Sequence, residues 1–263
     1  MNDVAQAAGE ILYEVKDGIG RVTFNRPQAR NAMLFSMYQR VVEICAEAEQ
    51  TGLRALIFTG AGDKAFASGT DISQFRAFKT AQDAMDYEKR ISGVLDALER
   101  CQVPTIAAVA GACVGGGLGI AGCCDIRIAT ANARFGLPIA RTLGNTLSSG
   151  ATARMAALIG PARLKEIIFT ARLIGAEEAK AIGLCSEVLP DHDALQARAD
   201  ELARTIASHA PLTLRATKEA LRRLGEINRK ENEDLIKLCY MSADFREGME
   251  AFLNKRAPAW QGR

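Results

Sequence analysis

The sequence predicts an α/β fold: strands and helices alternate through the first two-thirds, and the last quarter is helical. Three observations carry this. Short apolar or alternating runs at 10–25, 53–59 and 125–129 are each bounded by Gly, Pro or polar residues and separated by segments of helical spacing. A strand-like run from Pro104 drops into Gly115, Gly116 and Gly117, after which the chain is apolar again with helical character. From residue 148 onward almost every segment has helical spacing. At 263 residues, 48% hydrophobic and 24% charged, the chain can bury a full core as one domain of ordinary size.

Residues 10–25 alternate around Gly18 and Gly20 and read as a β-hairpin that Asn25-Arg26-Pro27 stops. Phe35 to Gln50 places Met37, Val41, Ile44, Cys45 and Ala48 at helical spacing, and Gly52 ends the helix. Leu53 to Thr59 is a buried strand, and Phe66 to Phe75 a loop leading into a helix. Asp83 to Cys101 is an amphipathic helix, and Pro104 opens the strand before the glycines. Asp125 to Ala129 is a strand and Ala133 to Pro138 a short extended piece. Helices are then expected at 148–159, 161–170, 176–181, 193–208, 212–226, 230–241 and 244–253.

Composition excludes several function classes. Lys and Arg number 33 against 31 Asp and Glu, and no basic stripe interleaves with aromatics, so nucleic acid is not the expected partner. Seven cysteines without a C-x-x-C pair, and only His192 and His209 beside them, argue against a zinc site and for a reducing cytoplasm. The N-terminus lacks the pattern of a secretory signal, and no apolar run is long enough to cross a bilayer.

The glycine triplet carries the chemistry. Three glycines between buried elements let backbone N–H groups approach a ligand that a Cβ would push away. A helix opening there adds free N–H groups and the positive end of its dipole, which suits an oxyanion. Gly117, Gly119 and Gly122 also satisfy the dinucleotide pattern G-x-G-x-x-G, but three strands precede them and no Asp or Glu follows between Asp125 and Glu166, so a Rossmann fold is not expected. A second turn, Ala67-Ser68-Gly69-Thr70-Asp71, reads alone as an ordinary helix N-cap. Paired with the triplet, it makes a two-donor oxyanion hole.

These segments resemble the crotonase superfamily, the enoyl-CoA hydratase/isomerase family. Asn25-Arg26-Pro27-Gln28-Ala29-Arg30-Asn31-Ala32-Met33 is similar to its N-R-P-x-x-R/L-N-A-L opening, and Phe66 to Ile72 to its F-x-A-G-x-D-[IL] segment. Pro104 to Gly111, the triplet and Cys124-Asp125-Ile126-Arg127-Ile128-Ala129 resemble its central block, and Ala251 to Arg256 its A-F-x-E-K-R ending. The resemblance implies a ClpP-like spiral of ββα units over 1–204 and a helical trimerisation region over 205–263, together one continuous family domain from about residue 10. It also implies a homotrimer or dimer of trimers. The ligand it implies is an acyl-CoA thioester, with coenzyme A as part of the substrate and no separate cofactor or metal.

By position, the N–H groups of Thr70 and Gly116 would hold the thioester oxygen. Arg30, Ala32, Ser68, Gly69, Asp71 and Ile72 fall on the CoA and pantetheine channel, with Gly115, Pro138 and Ile139 beside the acyl group. Phe252 and Lys255 fall where a neighbouring subunit's tail meets the adenine and its phosphate; a solvated surface lysine is the other reading of Lys255.

The departures are specific. The family's two catalytic glutamates correspond to Gly119 and Ile139 here, neither of which moves a proton, so ordinary enoyl-CoA hydration is not expected. The loop Ala140–Gly150 has no carboxylate; Asn145, Thr146 and Ser148 either cap the next helix or position water or a polar acyl group. Asp71 and Asp125 match structural positions. Two functions follow: an enzyme working through a thioester enolate or oxyanion, or a CoA-thioester-binding subunit without catalysis.

Overall fold

One unit recurs along the chain: a strand, a second strand turned into another sheet, then a helix. The computed structural model describes residues 9–226, 237 and 239–261. Strands β1 (Ile11–Lys16) and β2 (Ile19–Phe24) form the expected antiparallel hairpin, with Asp17 and Gly18 at φ +53° and +73° in its turn. Helix α1 (Phe35–Gln50) follows. The recurring unit itself then appears as β3 (Ala55–Gly60), β4 (Ala65–Ala67) and α2 (Ala81–Arg100), and again as β5 (Thr105–Val109), β6 (Ala112–Val114) and α3 (Gly116–Cys123). A third repeat is β7 (Ile126–Thr130), β8 (Arg134–Gly136), the single turn α4 (Ile139–Thr142) and α5 (Ser149–Ile159).

Further on lie α6 (Pro161–Thr170), β9 (Ile174–Gly175), α7 (Ala176–Ala181), β10 (Glu187–Leu189), α8 (His192–Ala207), α9 (Pro211–Glu226) and α10 (Ala243–Leu253). The first strands of the units and β10 join the hairpin in a six-stranded sheet of order β1-β2-β3-β5-β7-β10, parallel beyond β1. The second strands form the sheet β4-β6-β8-β9, in which β9 runs antiparallel to β8.

The large sheet is apolar on both faces, as parallel sheets are. Along β3, Leu56 and Phe58 enter the main core with α1 and α2, while Ala55 and Ile57 face Leu195, Ala199 and Ala203 of α8. This period-2 division explains why all of β3 is buried.

The single strand expected before the glycines is corrected to two strands in different sheets. The break is Gly111, at φ +62°, where a Cβ would overlap the Lys64 carbonyl. Strands β9 and β10, of two and three residues, are too short to show a period, and α4 is one turn. Of the helix expected at 230–241, residues 230–236 and 238, with Leu235 and Leu238 of its apolar stripe, lie outside the described residues. On α9, Leu212, Leu221 and Leu224 are exposed, so this chain's own core does not absorb that stripe.

Candidate active site

Two neighbouring parallel strands deliver the two glycine turns to one place. Strand β4 ends at Ala67, paired with Cys113 of β6, so Ser68-Gly69-Thr70 and Gly115-Gly116 leave the same edge of the small sheet. Contact between the turns is close. A Cβ on Gly115 would touch the Gly69 Cα at 3.6 Å, one on Gly116 would meet Thr70 Oγ1 at 3.1 Å and overlap the Tyr38 hydroxyl, and one on Gly117 would overlap the Ala67 carbonyl. The triplet is therefore a packing requirement.

The N–H groups at this point lack partners for geometric reasons. Met33 bridges to Thr70 through Met33 N to Gly69 O (2.8 Å) and Asp71 N to Met33 O (2.9 Å), a parallel ladder that skips the Thr70 N–H. Gly116 is the first residue of α3, whose N-cap, Gly115, has no side chain to accept from the first turn. Among the described residues neither N–H has an acceptor.

The surroundings hold this geometry firmly. Thr70 Oγ1 lies 2.9 Å from the Tyr38 hydroxyl and 3.1 Å from that of Tyr87. Burial pushes the Tyr38 phenol up to about 12 and that of Tyr87 well above its ordinary value, so both are neutral hydrogen-bonding groups. Asp71 accepts from Ser73 N (3.1 Å), Ser73 Oγ (2.7 Å) and Arg26 Nη2 (3.1 Å). Burial opposes ionisation of Asp71, but the Ser73 and Arg26 bonds outweigh it and hold the carboxyl below its usual range. Asp125 accepts from Thr105 and Lys218. Both aspartates hold structure in place.

Beside the turns opens a cavity of about 430 Å³, a size suited to a small-molecule ligand. Its wall includes Ala32, Ser68, Gly69, Thr70, Asp71 and Ile72 from the first turn, and Gly115, Gly116 and Gly119 from the second. Pro138, Ile139, Asn145, Thr146 and Ser148 line it from the α4 side, and Phe252 from α10. Arg30 and Lys255 are not on the wall. Phe252 reaches the cavity of its own chain, because Phe245 and Ala251 are buried and Gly248 packs so close to α4 that a Cβ there would lie only 2.8 and 2.9 Å from the carbonyl oxygens of Thr142 and Leu143.

Ser148 takes the capping role, accepting from Ala151 N at 3.3 Å. Asn145 turns elsewhere: its Nδ2 donates to the Tyr240 hydroxyl at 3.2 Å, and its buried Oδ1 has no partner among the described residues. A Cβ on Gly119 would sit 3.6 Å from both Leu95 methyls, so α2 faces this position.

Sequence reasoning missed what α2 contributes. Tyr87, Glu88, Ile91 and Leu95 all line the cavity. Glu88 is 7% exposed, and Tyr240 donates a hydrogen bond to its Oε1. Burial lifts the Glu88 carboxyl to about 7, against the lowering effect of that bond. A signal was available: Ala84, Glu88, Ile91, Leu95 and Leu98 form one helical stripe, with a carboxylate at a core position. Arg154 also reaches the wall, paired with Asp96 and Glu99.

Known proteins match this chain along nearly its whole length. The sequence pattern of the enoyl-CoA hydratase/isomerase family matches residues 14–263. A short-chain-enoyl-CoA hydratase of Clostridium acetobutylicum is 36% identical over 256 residues, covering 94% of this chain and 95% of the relative. The crystal structure of an enoyl-CoA hydratase/carnithine racemase from Magnetospirillum magneticum superposes with a TM-score of 0.79 at 34% identity, over 100% of this chain and 99% of that one. A methylmalonyl-CoA decarboxylase in complex with 2-nitronate-propionyl-CoA gives a TM-score of 0.89 at 25% identity, over 98% and 100% of the two chains. With its repeated ββα units and paired glycine turns, the chain belongs to the enoyl-CoA hydratase/isomerase family, the crotonase fold.

Proposed function

We propose that this protein binds an acyl-CoA thioester and stabilises its enolate or oxyanion between the N–H groups of Thr70 and Gly116. The observation that carries this reading is the meeting of two strand-to-helix turns that leave two main-chain donors unpaired at one cavity wall. Donors fixed before reaction cost no reorganisation when charge develops, and each is worth about 2.7–4 kcal/mol of barrier. The rest of the wall is largely apolar, which strengthens such bonds. The complex of a related decarboxylase with a nitronate thioester, an anion shaped like an enolate, supports the same reading.

Ordinary hydration of an enoyl-CoA is not the proposed reaction, because Gly119 and Ile139 leave both family acid–base positions without a carboxylate. That same observation favours a second reading, a CoA-thioester-binding subunit without turnover. The exposed leucines of α9 support assembly as a trimer or dimer of trimers.

Calorimetry tests the binding. Acetoacetyl-CoA, which binds as its enolate, is expected to bind at least tenfold more tightly than butyryl-CoA. Equal affinities would overturn the oxyanion assignment. Turnover of any acyl-CoA would exclude the binding-only reading.

A further inference from the structure

Of the two carboxylates on the described cavity wall, Asp71 is held by Arg26 and Ser73, whereas Glu88 faces no cation. Its single hydrogen bond comes from Tyr240 to Oε1, so Oε2 has no bond to any described residue. Along the same helical stripe, Ile91 and Leu95 line the cavity, and Leu95 packs over Gly119. The wall that faces the empty glutamate position thus carries a carboxylate of its own, about two helical turns away.

We propose that Glu88 moves protons on the carbon skeleton of the bound thioester, from α2 rather than from α3 or α4, with Tyr240 and Asn145 as its positioning residues. The inference rests on the thioester reading above. The Glu88 carboxylate takes a proton from the carbon next to the thioester carbonyl. The C–H electron pair becomes the C=C of the enolate, and the carbonyl π pair moves to the oxygen between Thr70 and Gly116. The proton then leaves Glu88 for the same carbon, giving exchange. In a β,γ-unsaturated thioester it goes instead to the γ-carbon, and the double bond moves into conjugation. Atoms and electrons balance without a co-reactant.

The surroundings suit this task. A carboxylate among apolar side chains is more basic than one in water, and a proton carrier works best near the operating pH. Burial raises Glu88 to about 7. The titratable groups around it are the phenols of Tyr38, Tyr87 and Tyr240, all raised by burial and neutral at that pH. Arg154, on the same wall, is already bonded to Asp96 and Glu99. Asn145 donates to Tyr240 and Tyr240 to Glu88, a short relay that fixes Oε1 and leaves Oε2 for the substrate.

Deuterium wash-in at C2 of but-3-enoyl-CoA, and its conversion to crotonyl-CoA, should be followed in the wild-type protein, Glu88→Gln and Tyr240→Phe, with the acetoacetyl-CoA Kd measured on each. The wild type is expected to exchange at a rate that rises through about pH 7. Glu88→Gln should exchange at least about 100-fold more slowly with Kd changed less than about threefold. Tyr240→Phe, which removes a bond that favours the ionised carboxyl, should shift the profile to higher pH. Should Glu88→Gln not fold, Glu88→Asp withdraws the charge by one methylene and should slow exchange more than about tenfold. Unchanged exchange in the Glu88 variants, or a wild type that binds acetoacetyl-CoA and exchanges nothing, would overturn the proposal. A wild type that does not bind acetoacetyl-CoA would overturn the thioester reading itself, and this inference with it.

Discussion

Removing the Gly116 N–H should weaken enolate binding, but a single substitution does not isolate it. Any Cβ at position 116 overlaps the Tyr38 hydroxyl, so Gly116→Pro would displace α1 or the turn as well as delete a donor. In a Tyr38→Phe background the oxygen is gone, and the nearest ring carbon lies 3.3 Å from the built Cβ, tight but accessible to small adjustment. Two double variants then differ chiefly in the donor: Gly116→Ala with Tyr38→Phe keeps the N–H, and Gly116→Pro with Tyr38→Phe lacks it. Proline is tolerated at this place because Gly116 is the first residue of α3 and its N–H makes no intrahelical bond. A hydrogen bond to a charged acceptor contributes about 1.5–3 kcal/mol, or roughly 10- to 150-fold in Kd. Calorimetry with acetoacetyl-CoA should show that ratio between the two double variants, and a far smaller one with butyryl-CoA. A ratio below about twofold with acetoacetyl-CoA would refute the role of this N–H.

Crotonyl-CoA hydration should be a trace of a hydratase's rate, since each missing acid–base group contributes about 10²–10⁴-fold; a turnover of ordinary hydratase magnitude would contradict the reading of Gly119 and Ile139. Glu88→Gln should also change how stability depends on pH. The native carboxyl sits near 7 against an ordinary 4.5, so unfolding releases a proton between those values and wild-type stability falls as pH rises through that window, by up to about 3 kcal/mol, then levels off. The Gln variant should lack this decline in Tm between pH 5 and 8. Light scattering should give three or six times 28.3 kDa, and Leu221→Asp with Leu224→Asp should lower that mass; a monomer at micromolar concentration would exclude the assembly. Gly248→Val, which forces α10 away from the carbonyls of Thr142 and Leu143, should weaken acetoacetyl-CoA binding through the displaced Phe252 wall; unchanged affinity would show that α10 does not shape the site.

What could be read from the chain followed the range of each signal. The hairpin, α1, α6 and α7 were legible because turn glycines, helical spacing and caps act within a few residues. Both glycine turns were legible because the donors proposed there are main chain, and glycine is the mark that a close main-chain approach leaves. The division of residues 104–114 between two sheets was not, since an apolar run looks the same whether it continues or turns; only the packing of Gly111 on Lys64 separates the cases. Glu88 stands in the sequence as a carboxylate on an apolar helical stripe, but its hydrogen-bond partner was hidden for another reason. Its partner Tyr240 lies 152 residues away, and no local pattern joins the end of α10's approach to the middle of α2.

The contrast between the two kinds of functional group explains how such a site can change its chemistry without changing its fold. The proposed oxyanion donors belong to backbone that β4, β6 and α3 jointly determine, and the overlaps at Gly116 and Gly117 mean that almost any side chain added there to the wild-type chain disrupts the structure. A proton carrier is a single side chain, and the cavity offers it three walls: α3 at Gly119, α4 at Ile139 and α2 at Glu88. Moving it among them costs one buried carboxylate in one place and relieves that cost in another, a difference that a single hydrogen bond such as that from Tyr240 offsets. Introducing glutamate at Gly119 therefore sets beside Glu88 a second carboxylate with no cation facing it, and like charges there oppose ionisation of both. Gly119→Glu alone should push the apparent pKa of proton exchange above about 7, whereas Gly119→Glu with Glu88→Gln should bring it back down and restore exchange. An unshifted profile in the single variant would mean that the two positions do not share one site.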